Sequence, residues 1–183
     1  RLWVVGSNDV TRISIEESFK NLIELLDKHL EKRPYIFGSR PSIADFALWG
    51  HIYNANNDVT AHELIDEHAP KLNDWIERML DPKETGDFEG WHELKPTLLP
   101  LIKEEIGETF LPWVTANNDA VKNNKDELSI TLKGRPFKHK VTSVQKFHAK
   151  SFGLLMEHYK SVSQNQELEE ALVETGVKEY LNA

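Results

Sequence analysis

Ile15, Phe19, Leu22, Ile23, Leu26 and Leu30 recur at helical spacing and make one apolar stripe, so the pattern predicts an amphipathic helix over Ser14–Glu31. Ser14 and Glu17 are spaced as a capping box at its start, and Pro34 and Gly38 stop it. The preceding segment is ambiguous: Leu2-Trp3-Val4-Val5 reads as a short strand or as the end of a helix that began upstream. A second helix is expected from Ile43 to about Asn54. Phe46, Ala47, Leu48, Trp49, Ile52 and Tyr53 surround it on nearly every side, the pattern of a helix buried in the middle of a bundle. Its start carries its own signal. Pro41 holds Arg40 extended, Ser42 is a candidate N-cap, and Asp45 can reach back to the Ser42 amide. Pro41 and Phe46 flank this box at the two staple positions.

A polar loop is expected over Asn54–Thr60, then a short helix through His62–Glu67. A further amphipathic helix over Ala69–Leu80 has Pro70 in its first turn and Leu72, Trp75, Ile76, Met79 and Leu80 on its apolar side. Pro82, Gly86 and Gly90 make Asp81–Gly90 a loop. A long helical pattern runs from Pro96, placed in a first turn, to about Asn118, and Pro112 should kink or break it near Phe110–Leu111. Alternation at Leu128–Leu132 and Phe137–Val141 around Lys133-Gly134-Arg135-Pro136 predicts a β-hairpin over 127–141. Val144, Phe147, Ser151, Leu154, Leu155 and His158 mark a helix, and Leu168, Ala171, Leu172 and Val173 a last short one ended by Gly176. The expected fold is mainly α: one helical domain over 1–183, with a hairpin insertion and C-terminal helices over 143–183.

The 22 basic against 30 acidic side chains give a net charge of −8 with no basic stripe, which argues against nucleic acid as a primary partner. The apolar runs are too short to span a membrane. The absence of cysteine removes disulfides, a thiol nucleophile and Cys-based zinc sites, and fits a reducing, cytoplasmic location. The chain opens at Arg1 without a signal-peptide pattern, and an N-terminal portion is expected to be missing.

Phe37-Gly38-Ser39-Arg40-Pro41-Ser42-Ile43-Ala44-Asp45-Phe46 resembles the G-x-x-x-S-x-A-D signature of the glutathione S-transferase C-terminal domain. Pro70-Lys71-Leu72 with Trp75, Arg78 and Met79 looks like that family's following helix, so the resemblance covers roughly residues 12–80 in order and spacing. The remainder is similar to an extended bacterial-type subgroup. The resemblance implies a helical domain that supplies the pocket for a small-molecule electrophile. It implies glutathione as co-substrate, bound mainly by a thioredoxin-like N-terminal domain, and a homodimer when intact. The family's activating residue belongs to that other domain, so no catalytic residue is expected here. Ser42, Asp45, Pro41 and Phe46 carry over as a structural capping box. A non-catalytic protein-interaction module on the same scaffold is the alternative.

Trp3, Tyr53 and Trp113 are candidates for the lining of a substrate pocket, against a default of core packing. His62 and His68 are six residues apart, which puts them on different helix faces and argues against a zinc site. Their bland reading is a solvated acidic face. His51 reads as a core or cleft residue. Lys133, Arg135, Lys138, His139 and Lys140 read as a protected edge strand, with an anionic-partner patch as the sharper option.

Overall fold

The computed structural model describes residues 6–162 and 164–181, so Trp3 and the Leu2–Val5 segment lie outside the described residues. Helices α1 (Arg12–Leu30), α2 (Ile43–Asn56), α3 (Val59–His68), α4 (Pro70–Arg78) and α5 (Trp91–Leu101) are followed by a π-helical segment, Ile102–Phe110. Then come α6 (Leu111–Lys122), β1 (Glu127–Leu132), β2 (Arg135–Lys140), α7 (Ser143–Val162), α8 (Gln166–Glu174) and α9 (Lys178–Leu181). The mainly α architecture with one hairpin is the expected one. Contacts divide the chain into two compact units: residues 19–101, and residues 1–18 with 102–183.

In the 19–101 unit, Ile23, Leu26, Ile52, Ile65, Leu72 and Trp75 lie at the centre of the core. Helix α4 has no cap of its own at Ala69. The Asp27 carboxylate of α1 supplies one, accepting from the Lys71 and Leu72 amides at 2.6 and 3.0 Å. Asp58 caps α3 through the Thr60 and Ala61 amides, so the expected loop to Thr60 shrinks to Asn57-Asp58.

Helix α2 corrects an expectation. Only Asp45 and Ile52 of it are buried. Ile43 is 87% exposed, Phe46 51% and Tyr53 37%. The helix packs one side on the core and leaves Ile43, Phe46 and Tyr53 on a partly open apolar side. Composition alone reads such a helix as buried all round.

In the other unit, the entry to α1 differs from the expected Ser14–Glu17 box. Asn8 Oδ1 accepts from the Thr11 amide at 3.1 Å, and Thr11 Oγ1 accepts from the Asn8 amide at 2.9 Å. This reciprocal pair does the work of a capping box and begins six residues before Ser14. The Asn8 side chain also donates to the Lys138 carbonyl, tying the turn to β2. The hairpin turns on Lys133 (φ 45) and Gly134 (φ 78), a two-residue loop with both φ positive, and Pro136 falls in β2 opposite Thr131. Leu128, Leu132 and Phe137 pack with Ala120 of α6.

Pro96 and Pro100 lie inside α5, which begins at Trp91, so Pro96 is not in a first turn. Pro112 sits in the first turn of α6, where the π-helical segment ends at Phe110. The expected disruption near Phe110–Leu111 is thus a change from π to α winding. Pro100 and Pro112 bracket the π segment and interrupt the α ladder on both sides of it. The apolar positions assigned to α7 are also corrected. Gln145 and Phe152 are its buried residues, whereas Phe147 is 67% and Leu154 58% exposed.

Candidate functional site

The signature segment folds as a clamp around one carboxylate. Ser42 has extended backbone, and its hydroxyl accepts from the Asp45 amide at 3.4 Å. Asp45 Oδ2 accepts from the Ser42 amide at 2.9 Å and from the Ser42 hydroxyl at 2.6 Å. Oδ1 accepts from the Ile36 amide at 2.9 Å and from Trp75 Nε1 at 3.2 Å. The side chain is fully buried. Asp45 therefore does more than cap α2: it fastens that helix to the 35–38 loop and to α4. Its position in the first turn is also the one the helix dipole favours.

The loop itself admits only glycine at position 38. Gly38 has φ +122, and a Cβ there would stand 2.9 Å from the Asp87 carbonyl oxygen and 2.9 Å from the Glu89 nitrogen. The close approach lets the Ser39 amide donate to Asp87 and the Glu89 amide to Phe37. Tyr35 anchors the same loop, its hydroxyl donating to the Lys83 carbonyl at 2.8 Å.

The carbonyl of Ile36, the residue whose amide donates to Asp45, is held by a residue the sequence did not mark. His29 is fully buried in α1, and its Nε2 lies 2.8 Å from the Ile36 carbonyl oxygen. A carbonyl only accepts, so Nε2 carries the proton. Nδ1 then accepts, from Thr97 Oγ1 at 2.8 Å and Arg33 at 3.2 Å. Burial lowers the His29 pKa, the neighbouring Arg33 guanidinium lowers it further, and the Ile36 carbonyl opposes both. Arg33 is itself buried and pairs with Glu89 at 3.0 Å. A histidine followed four residues later by arginine, at the end of an apolar stripe, is the signal that was available.

The remaining candidates scatter. Pro41 is half-buried beside the box. Tyr53 stacks against Trp49 with ring centroids 4.9 Å apart, and Trp49 Nε1 donates to the Ile76 carbonyl. Trp113 belongs to the other unit. Its Nε1 donates to His139 Nε2 at 3.0 Å, and its ring packs against both buried clusters there. His51 is exposed. His62 pairs with Asp66 and His68 with Glu24, and no group of three or more metal-ligating side chains occurs among the described residues. In the hairpin, Lys133 pairs with Glu105, Arg135 with Glu17 and Lys138 with Glu127, while His139 is buried. The basic cluster is therefore largely neutralised within the chain. No helix among the described residues is long and apolar enough to cross a membrane.

Residues 12–78 match the family model of the glutathione S-transferase C-terminal domain. No curated protein and no solved structure matches the chain. The matched span holds α1 to α4, Gly38, Ser42 and Asp45, and excludes the π segment, the hairpin and α7 to α9.

Proposed function

Taking residues 12–78 as a glutathione S-transferase C-terminal domain, we propose that this chain is the electrophile-binding half of a glutathione transferase-like enzyme. The observation that carries the reading is the open apolar side of α2, where Ile43, Phe46 and Tyr53 stand exposed on a helix fixed by the four hydrogen bonds to Asp45. A rigid apolar wall with one phenol is suited to holding a flat apolar electrophile and excluding water around it. Glutathione is the co-substrate, and a thioredoxin-like domain binds it and holds its thiol as thiolate. The thiolate sulfur attacks the electrophilic carbon. A carbon–sulfur bond forms, and the leaving group departs with the displaced electron pair, or an addition product takes up a proton. The chain's own residues bind and orient; they supply no nucleophile. The enzyme is proposed to be a cytoplasmic homodimer.

A second reading, a non-catalytic interaction module, is favoured by the exposed Phe147, Leu154 and Leu155 of α7, which lie outside the matched residues. Turnover of an aromatic halide with glutathione separates the two. A protein joining this chain to a glutathione-binding domain should accelerate the reaction, and the 183-residue chain alone should not. Absence of turnover in the joined protein, with glutathione bound, favours the module.

A further inference from the structure

Helix α7 is 20 residues long, and its buried residues are Gln145 and Phe152, seven apart and so on one face. Phe147, Ser151, Leu154, His158 and Val162 run down the opposite face at spacings of four, three, four and four, and all five are exposed. Leu155 stands exposed beside them. The result is a largely apolar stripe about 22 Å long at 1.5 Å per residue. It lies wholly outside residues 12–78.

One flank of the stripe is charged, and unevenly. Lys146 and Lys150 stand along its N-terminal half and Glu157 along its C-terminal half. All three are exposed and have no ion pair among the described residues. A pair within one helix needs a spacing of three or four residues. Glu157 lies seven and eleven residues from the two lysines, so the helix cannot pair them itself. Lys160 lies further round the helix and is engaged within the chain.

We propose that a second copy of this chain covers the stripe, the two α7 helices running antiparallel about a two-fold axis between Phe152 and Gly153. The proposal deepens the homodimer reading above and rests on it for the expectation that two copies meet; the place of contact is argued from α7 alone. In a two-fold pair the same flank of both helices faces itself. With the axis at that point, Glu157 comes level with position 148 of the second copy, between its Lys146 and Lys150, and the arrangement occurs twice. Phe147 comes level with His158, and Leu154 with the small Ser151, which leaves room for the leucine. Gly153 lies beside the axis, and a Cβ added there meets nothing within 4 Å of its own chain, so space is free for the other helix. A parallel pair would instead set Lys150 against Lys150 and Glu157 against Glu157, and would align the two helix dipoles. Charge thus fixes the direction and register, and the apolar stripe supplies the affinity. A helix is about 10 Å across, so one such pair buries less than the roughly 800 Å² per partner of a standard interface. A reversible dimer with a micromolar dissociation constant is expected.

Sedimentation equilibrium of the 183-residue chain, from about 5 to about 200 μM, tests this and should show monomer and dimer in exchange. Leu154→Glu should raise the dissociation constant at least tenfold, with the melting temperature within a few degrees of the parent because Leu154 is exposed. Lys146→Glu with Lys150→Glu makes the flank wholly acidic and should weaken the dimer at least tenfold at low salt. Adding Glu157→Lys restores opposite charges with their signs exchanged, and should return the dissociation constant to within threefold of the parent. The chain has no cysteine, so Ser161→Cys carries a single spin label. Labels in the antiparallel dimer should lie about 27 Å apart, against about 10 Å in a parallel one. A chain monomeric throughout, a dimer unaffected by Leu154→Glu, no recovery in the triple variant, or labels near 10 Å would each overturn the proposal. A dimer that survives Leu154→Glu leaves the homodimer reading standing on another surface, whereas a monomer removes both; neither result touches electrophile turnover, which is read separately.

Discussion

Asp45 and His29 hold both backbone polar groups of one residue, the Ile36 amide and the Ile36 carbonyl. Alanine at Asp45 leaves the Ile36 and Ser42 amides and the Trp75 indole without acceptors. Each buried unpaired donor costs about 1–3 kcal/mol, so a loss of about 3 kcal/mol is expected in urea unfolding. Asp45→Asn keeps one acceptor oxygen and turns an NH₂ toward donors, so it should recover part of the loss and no more. His29 gives a pH dependence. Its folded pKa lies below the ordinary histidine value of about 6.5, so below that pH the unfolded chain takes up a proton that the folded chain refuses. Its contribution is present in full above about 6.5 and is lost progressively as pH falls toward the folded value. Unfolding free energies measured between pH 7 and 5 should fall in the parent and fall less steeply in His29→Asn. At this scale the Ser42–Asp45 pair was legible from spacing alone. The Ile36 and Trp75 contacts were not, because they join residues 9 and 30 positions from Asp45.

Periodicity located the helices well and their buried faces less well. Helix α7 shows why. Its apolar side chains at 147, 154 and 155 are exposed, and its buried face includes the polar Gln145, whose backbone carbonyl accepts from Asn117 Nδ2 at 2.8 Å. The Gln145 side chain is held by Thr142, whose amide donates to its Oε1 at 3.0 Å, a local polar contact that an apolar periodicity does not register. The π segment was illegible for a similar reason. Gly107 lies within it, and a Cβ there would stand 2.7 Å from the Thr175 carbonyl oxygen. The wider turn and the glycine together admit the end of α8, a long-range contact with no local signal. Gly107→Ala should therefore destabilise, by about 1–3 kcal/mol for overpacking, although alanine is the better helix former. Thermal unfolding of the variant checks the sign: a rise in melting temperature would show that the Gly107–Thr175 approach is relaxed at no cost.

At the scale of the whole molecule, the mainly α fold and the capping signature were readable from the sequence. The two compact units, residues 19–101 and the remainder, rest on contacts between distant positions that no local pattern carries. Each unit keeps an apolar helix side exposed, Ile43 and Phe46 on α2 and Phe147 and Leu154 on α7. Exposed apolar surface on rigid helices marks a place for another molecule, and for α2 the proposal is an electrophile beside glutathione. The most direct measurement is steady-state kinetics of Phe46→Ala in a protein that joins this chain to a glutathione-binding domain. Phe46 is half-exposed, so its removal should leave the melting temperature within a few degrees. Loss of its apolar contact should lower kcat/KM for an aromatic halide about tenfold or more, the scale of 1–3 kcal/mol for a large apolar contact, with KM for glutathione unchanged. An unchanged kcat/KM for apolar electrophiles in a folded, glutathione-binding protein would contradict the assignment of α2 as the pocket wall.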